Sequence, residues 1–158
     1  MPIAGPPVPP APVPLAPVPL GTLTPSGVVN GWGPPEVDRS NGGAAAGDGH
    51  ALALRGQVFD HGLGVHSPSA QTFALPGGYS RLTATVGVDD EVGGRGSVVF
   101  QAYLDGRLVY RSPVLTGRSA PLPVTVGVTG GRSLRLVVTG AGDGTAYDHA
   151  DWADARLG

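Results

Sequence analysis

The chain ends with Asp148-His149-Ala150-Asp151-Trp152-Ala153-Asp154-Ala155-Arg156-Leu157-Gly158, and this segment concentrates unusual chemistry. It contains three carboxylates, one of the two tryptophans and one of the four histidines. The indole offers a flat apolar face, and the aspartates offer acceptor oxygens for hydroxyl groups or for a hard cation. Charges beside an apolar ring are costly unless a fold or a ligand uses both. We predict that this segment is the last strand of a β-sandwich, with its lead-in loop.

Upstream of this segment, apolar residues alternate with a period of two, which is typical of half-buried strands. The alternating positions are Leu82, Ala84, Val86 and Val88, then Val124, Val126 and Val128, and then Leu134, Leu136 and Val138. Glycine- and proline-rich turns separate these runs, and no helical period stands out. The pattern predicts an all-β fold, an antiparallel two-sheet sandwich of jelly-roll type with about eight strands.

The hairpin around Asp105 and Gly106 allows the strand register to be examined. A two-residue turn would place Phe100 opposite Arg111 and mix a core ring with a charge. A three-residue loop, with Gly106 in the left-handed bulge position, places Phe100 opposite Tyr110 and keeps one face apolar. We therefore expect the three-residue loop.

The N-terminal segment is rich in proline, with nine prolines among residues 1–20. Proline lacks the backbone donor that helices and sheets need, so this composition predicts an extended polyproline II spacer of roughly 3 Å per residue. We predict two regions, a Pro-rich linker at 1–27 and a sandwich module at 28–158. The spacer implies a neighbouring domain upstream, and a ligand for proline-reading domains is the alternative.

Composition excludes several classes of function. A net charge of −2 provides no basic field for nucleic acid or an anionic membrane, and the absence of cysteine excludes disulfides and thiol chemistry. No apolar run approaches the roughly 18 residues of a membrane span. No signal-peptide pattern opens the sequence, so for an exported protein we expect further residues before Met1.

Catalytic motifs are weak throughout the chain. Acidic residues occur at 89, 90, 91, 148, 151 and 154, but no spacing fixes an acid and a nucleophile across a glycosidic bond. The four histidines lack the spacing of a zinc site, and no Gly-x-Ser-x-Gly motif is present. The glycines at 93–96 precede a predicted strand and not a helix, so they do not form a phosphate loop. The sequence predicts a non-catalytic protein.

Sugar recognition is better supported by the residue types available. It needs an aromatic face for the C–H side of a pyranose and short polar groups for neighbouring hydroxyls. The candidate carbohydrate-binding residues, at predicted loops or strand ends, are His66, Asp89, Arg95, His149, Asp151 and Trp152. For Trp152 the alternative is an ordinary core position. For His66 it is an imidazole that only bonds a backbone carbonyl.

A structural calcium ion is the second candidate ligand. Calcium takes about 6 to 8 oxygen ligands, many of them from loops. The predicted metal ligands are Asp38, Asn41 and Asp154. A loop held by Asx turns without any ion is the alternative.

Four stretches in order resemble the NPCBM family, which is also classed as carbohydrate-binding module family 51. They are Gly62-Leu63-Gly64-Val65-His66, Val86-Gly87-Val88-Asp89-Asp90-Glu91, Gly96-Ser97-Val98-Val99-Phe100 with Asp105-Gly106, and Asp148-His149-Ala150-Asp151-Trp152-Ala153-Asp154-Ala155. The resemblance covers roughly 28–158. It implies a non-catalytic, galactose-binding-like sandwich, appended to glycoside hydrolases such as α-galactosidases or family 98 enzymes. It also implies binding to galactose-containing glycans, often with a structural calcium. His66, Asp89 and 148–154 fall on that family's signature positions, whereas Arg95 is inferred from its loop position alone.

We therefore predict a module that targets an attached or partner hydrolase to galactose-containing glycans. We expect a monomer located outside the cell or at its surface. The alternative is a sandwich for protein adhesion or assembly with no sugar ligand. A small hydrolase is a third hypothesis, which product release from aryl glycosides by the isolated chain would support.

Overall fold

A computed structural model describes residues 3–9 and 15–158 and confirms the predicted antiparallel two-sheet sandwich. The strands are β1 (Val18–Pro19), β2 (Gly27–Val29), β3 (Glu36–Val37), β4 (Leu52–Leu54), β5 (Gln57–Phe59), β6 (Gly62–His66), β7 (Ser69–Ala74), β8 (Arg81–Val88), β9 (Ser97–Leu104), β10 (Arg107–Arg111), β11 (Leu115–Thr116), β12 (Leu122–Gly127), β13 (Ser133–Gly140) and β14 (His149–Leu157). Two short 3-10 helices span Leu20–Thr22 and Asp90–Val92. Within the described ranges, no helix has the length and apolarity needed to cross a membrane.

The first sheet has the strand order β12-β8-β14-β6-β3, and β1 pairs with the end of β14. The C-terminal segment is therefore the last strand, as predicted, and it occupies the centre of the sheet. Both of its long edges are hydrogen bonded, to β8 on one side and to β6 on the other. Because β14 is a central strand, most of its side chains are buried, and few of them can contact a ligand from solvent.

The second sheet has the order β10-β9-β13-β7-β2, with β11 paired to β9. Alternate residues of both sheets meet in one hydrophobic core, and the predicted inward faces of β8, β12 and β13 are all buried there. Burying these Val and Leu side chains supplies the main driving force for the fold, at about 1.5–3 kcal/mol for each fully buried side chain.

The segment 39–54, which ends with strand β4, covers the outer face of the first sheet. Glycines on β6 and β8 allow this close approach: a Cβ at Gly64 would lie 2.1 Å from the Arg39 carbonyl oxygen, and one at Gly87 would lie 3.0 Å from Leu54 Cδ2. Leu52 and Leu54 of this covering segment are buried against the sheet, outside the main core. Polar side chains on the outer face of β14 are therefore enclosed as well.

The sandwich begins earlier in the chain than the predicted boundary at residue 28. Val18 and Pro19 pair with β14, and Leu20 is fully buried in the core. The predicted boundary is wrong because one short pairing and one leucine leave little trace in a proline-rich composition. Residues 3–9 and 15–17 are exposed and belong to no helix or strand. The remainder of the predicted spacer before residue 15, at 1–2 and 10–14, lies outside the described residues.

The β9–β10 hairpin has a two-residue turn, so the predicted three-residue loop is wrong. Leu104 pairs with Arg107, and both turn residues have positive φ, 50° at Asp105 and 81° at Gly106. This combination suits the twist of a hairpin. A bulge within β10 then places Tyr110 opposite Ala102 and against the core. An irregularity inside the strand, not a longer loop, keeps the apolar face together.

Candidate functional site

An open pocket of about 670 Å³ lies at the end of the first sheet where β14 begins. Its walls come from the Asp90–Val92 helix, the loop 42–50 and the lead-in to β14. The polar and aromatic side chains that line it are Asp48, His50, Asp90, Glu91, Arg95, Tyr147 and His149. The pocket thus combines carboxylates, imidazoles, a guanidinium group and a phenol ring in one concavity.

Glu91 is the centre of the hydrogen-bond network in this pocket. Its Oε1 lies 2.5 Å from His149 Nδ1 and accepts from the Gly42 N–H at 3.2 Å, while its Oε2 accepts from Ser40 Oγ at 2.5 Å. Burial opposes ionisation, but these hydrogen bonds outweigh it, so the pKa of Glu91 lies below its ordinary value. Glu91 is a fixed anion at neutral pH, and the other ring nitrogen of His149 is the one that can meet a ligand.

The other pocket carboxylates hold loops by binding backbone N–H groups. Asp48 accepts from Gly43 at 2.8 Å and from Ala45 at 3.1 Å. Asp90 accepts from Arg55 and Gly56, each at 2.8 Å. Asp48 therefore stiffens the loop 42–50 from within, whereas Asp90 ties the turn at Arg55 and Gly56 to the short helix. The pocket is built before any ligand arrives, which lowers the entropic cost of binding.

Two exposed aromatic rings lie in or beside the pocket. The Arg95 guanidinium carbon lies 4.3 Å from the centroid of the Tyr147 ring, a cation–π contact that forms one wall. Trp32 is 51% exposed, and its Nε1 lies 4.0 Å from where a Cβ at Gly43 in the pocket wall would be. The Trp32 carbonyl accepts from Asn41 at 2.9 Å, which holds the backbone beneath this ring.

Four of the predicted sugar-binding residues share the outer face of the first sheet. In the β14–β6 register, His149 lies opposite His66, and Asp151 lies opposite Gly64. Asp89 follows β8 on the same face. Of these four, His149 lines the pocket, and Arg95, from the loop before β9, lines it too.

His66 adopts the alternative role considered for it. Its Nδ1–H donates to the Ser67 carbonyl at 2.6 Å, and its ring packs edge-on against His149 at 5.0 Å between centroids. Burial lowers the pKa of His66, partly opposed by that hydrogen bond. The His66 ring does not line the pocket, but it packs against His149, which does.

Trp152 is the clearest correction to the sequence analysis. Its side chain is 1% exposed and packs edge-on against Phe100, with centroids 5.0 Å apart, between the two sheets. Successive strand residues point to opposite faces, so Trp152 faces inward because Asp151 faces outward. The predicted stacking of a sugar on Trp152 is wrong.

Asp89 and Asp151 also require correction as direct ligands of a sugar. They are 2% and 0% exposed, because the cover over the outer face encloses both carboxyls. Neither presents a group to solvent. The sequence contains partial signals for the residues in and beside the pocket. Glu91 ends the motif Val86-Gly87-Val88-Asp89-Asp90-Glu91, and Trp32 lies in a glycine-proline loop outside any alternating run.

The residues predicted to bind calcium fall into two places. Asp38 and Asp154 meet the same turn, since Asp38 Oδ1 accepts from the Gly62 N–H at 3.0 Å and Asp154 N–H donates to the His61 carbonyl at 2.7 Å. The Asn41 amide belongs instead to the network with Asn30 and Trp32. In 3–9 and 15–158, no three His, Asp or Glu side chains are arranged to hold a metal. Calcium binding stays a prediction that none of these contacts tests.

Comparison with known proteins connects this architecture to one family. The family model described as NPCBM/NEW2 domain matches residues 17–158. A protein of Renibacterium salmoninarum that is named as an endo-alpha-N-acetylgalactosaminidase is 39% identical over 136 residues, which is 85% of this chain. The chain spans only 9% of the length of that relative.

Solved structures give the same result. The CBM51 module of Clostridium perfringens GH95, in complex with methyl-galactose, superposes with a TM-score of 0.82 at 32% identity, over 90% of this chain and 100% of that one. CBM51-2 of Clostridium perfringens ZmpB, in complex with GlcNAc, has a TM-score of 0.80 at 28% identity, over 90% of this chain and 31% of that one. The match begins at residue 17, in agreement with the early start of the sandwich.

Proposed function

The chain belongs to the NPCBM/NEW2 domain family, and from this premise we propose that its pocket binds a galactose-type sugar, so that the chain acts as a non-catalytic carbohydrate-binding module. One observation carries the proposal: a preformed pocket combines the Glu91–His149 pair with exposed aromatic rings. A related module of 32% identity is described in complex with methyl-galactose, which supports the choice of sugar.

The chemistry of the pocket suits a neutral sugar. Hydroxyl groups both donate and accept, so they can bond the anionic Glu91, the imidazole of His149 and the guanidinium donors of Arg95. Tyr147 and Trp32 offer apolar faces to the C–H side of the ring. We assign Glu91, His149 and Arg95 to the hydroxyls, and Trp32 to the apolar face, where Trp152 had been expected.

The hydrogen bonds of the pocket carboxylates argue against glycosidase catalysis in this pocket. A glycosidase needs one carboxyl that protonates the leaving group and another that attacks or activates water. Glu91 has three partners within 3.2 Å, and Asp48 and Asp90 each hold two backbone N–H groups. Carboxylates used in this way position loops and do not move protons.

The short span of the chain within its relative supports a role as an attached module. We propose that the module is attached to a glycoside hydrolase outside the cell and binds galactose-containing glycans as a monomer. A shallow site gains little net energy from exchanging water for sugar, so binding to a single sugar is weak. Attachment to an enzyme raises the effective concentration of the enzyme at a glycan surface. The Pro-rich segment before the sandwich would serve as the spacer.

Titration calorimetry of the purified chain with methyl-galactose tests this function. We expect saturable binding by the wild type and a loss of at least about tenfold in affinity for Glu91→Ala, since a hydrogen-bonded charge is removed. Asp60→Asn, which changes an exposed acid away from the pocket, should bind like the wild type. A wild type that binds no galactoside in the titration or on a glycan array would refute the function. Repeating the titration with a chelator tests the predicted structural calcium.

A further inference from the structure

Asp151 is a fully buried acid that the pocket itself does not use. It lies between Gly64 on β6 and Gly87 on β8, beneath the backbone of 39–41 and the side chain of Leu54. It is 0% exposed, and neither of its carboxyl oxygens receives a hydrogen bond from a donor in the described part of the chain. A buried ionised carboxylate without donors would be very costly.

The group that faces Asp151 is the carboxyl of Asp89. Asp89 continues β8 two residues beyond Gly87, on the same face of the sheet, which makes it a diagonal neighbour of Asp151. The two oxygens of Asp89 are occupied by backbone donors, with Oδ1 accepting from Glu91 at 2.9 Å and Oδ2 accepting from Ala53 at 3.2 Å. Two carboxyls hydrogen bond to each other only if one is protonated. Both oxygens of Asp89 already accept from backbone N–H groups, whereas neither oxygen of Asp151 does, so the proton is placed on Asp151.

Asp89 links this buried pair to the pocket. Its bond to the Glu91 N–H caps the short helix that carries Glu91, and its bond to the Ala53 N–H holds the segment that follows His50. The short helix and the segment that follows the loop 42–50 are therefore both tied to this one carboxylate. The residue whose backbone Asp89 holds, Glu91, is the one whose side chain bonds His149 and Ser40.

We propose that Asp151, as a neutral acid, is a positioning residue of the pocket: its O–H holds Asp89, and Asp89 holds the backbone of Glu91 and of the segment after His50. The sugar readout of this proposal rests on the proposed function, but the carboxyl pair and its effect on Glu91 do not. The pair also makes the pocket sensitive to alkaline pH.

The surroundings of Asp151 determine the sign of that sensitivity. Burial comes first, followed by the neighbouring carboxyl of Asp89 and then by the charges of Glu91 and Asp90, and all of these raise the pKa of Asp151 well above its ordinary value of 3.8. On the same face lie the imidazoles of His66 and His149. The covering segment contributes backbone and Leu54, and the Arg39 guanidinium donates to the Gly47 carbonyl.

Because the folded pKa is raised, the contribution of Asp151 to stability is fully present below the unfolded value near 3.8. As the pH rises, the unfolded chain ionises while the folded chain keeps its proton. The folding equilibrium then weakens by up to about tenfold per pH unit until Asp151 itself ionises. Above that point two charges face each other under the cover.

Asp151→Asn is the decisive variant, because an amide keeps a donor for Asp89 and cannot ionise. Unfolding of the wild type and of this variant should be compared from pH 4 to 9, with Asp60→Asn as the matched control. We expect the variant to gain stability over the wild type progressively as the pH rises, by up to about tenfold per unit in the folding constant, while the control shows no such trend. A difference between Asp151→Asn and wild type that does not change with pH would overturn the proposal.

Asp151→Ala tests the positioning role, because alanine removes the donor. The amide resonance of Glu91 and the ring resonances of His149 should shift in this variant and remain near wild type in Asp151→Asn. The affinity for methyl-galactose should fall about tenfold in the alanine variant and stay within about threefold in the asparagine variant. Unmoved resonances in a folded alanine variant would overturn the role, whatever the sugar titration gives. If the alanine variant does not fold, the carbon-13 shift of the Asp151 carboxyl at pH 7 decides: a protonated acid supports the proposal, and an ionised one refutes it.

Discussion

On the inner face of β14, Trp152 packs against Phe100 between the two sheets, whereas on the outer face Asp151 lies under the covering segment and His149 reaches Glu91. Trp152 and Asp151 are buried to the same degree, at 1% and 0% exposure. The inner face is held by apolar contact, and the outer face by hydrogen bonds whose strength depends on pH. Although both residues are equally buried, we therefore expect substitution of Trp152 to lower stability and loss of the hydrogen-bonding groups on the outer face to lower sugar affinity.

The largest effect should come from the inner face. Trp152→Ala removes the largest buried side chain of the core, and we expect a loss of about 3–5 kcal/mol in the free energy of unfolding, because the cavity cannot fully collapse. Denaturant unfolding measures this loss. The fraction that stays folded should bind methyl-galactose as the wild type does. A stable Trp152→Ala variant that has lost sugar binding would reverse the assignment of the two faces.

The outer face should respond to acid through Glu91. Its pKa is lowered in the folded protein, so its contribution to stability is present above the unfolded value near 4.5 and is lost as the pH falls through the folded pKa. We expect the wild type to lose stability and sugar affinity on acidification in that window. Glu91→Gln should start weaker and show a smaller loss, as followed by thermal unfolding from pH 3 to 7. An equal loss in both proteins would mean that Glu91 carries no charge-dependent contact.

The smallest effect should come from the exposed ring beside the pocket. Trp32→Ala should lower the affinity for methyl-galactose by about threefold to tenfold, because stacking on an aromatic ring contributes about 0.5–1.5 kcal/mol. Stability should change by about 0.5 kcal/mol or less, since half of the side chain is already in solvent. Val114→Ala, an exposed apolar residue away from the pocket lining, is the matched control for calorimetry. Unchanged affinity in Trp32→Ala would remove this ring from the site.

The strands and their inward faces could be predicted because they depend on local alternation. Val86 and Val88 alternate with Gly87 whatever the rest of the chain does, and the same rule already implied that Trp152 points away from Asp151. The β9–β10 register was less predictable, because a bulge within β10 corrects the pairing after a tight turn. Bulges depend on packing across the sandwich, which the local pattern does not record.

The candidate site was predicted only in part because distant segments build it. Arg95 and His149 line the pocket, and so does Glu91, which ends the motif Val86-Gly87-Val88-Asp89-Asp90-Glu91. Sugar binding by Arg95 and His149 stays a prediction. The errors at Asp89 and Asp151 have one cause. Nothing in the local sequence shows that residues 39–54 lie over the outer face of a central strand.

The sequence by itself determined which residues form strands, which face of each strand is apolar, and the family to which these motifs belong, because alternation along a strand is a property of the backbone. The tertiary structure decided which polar residues stay in solvent. That outcome depends on contacts between segments far apart in the chain, such as Ser40 with Glu91 and His149 with Glu91. Because such contacts bury Trp152, Asp89 and Asp151, these predicted sugar ligands do not reach solvent. The pocket is lined instead by neighbouring residues such as Glu91, Arg95 and His149.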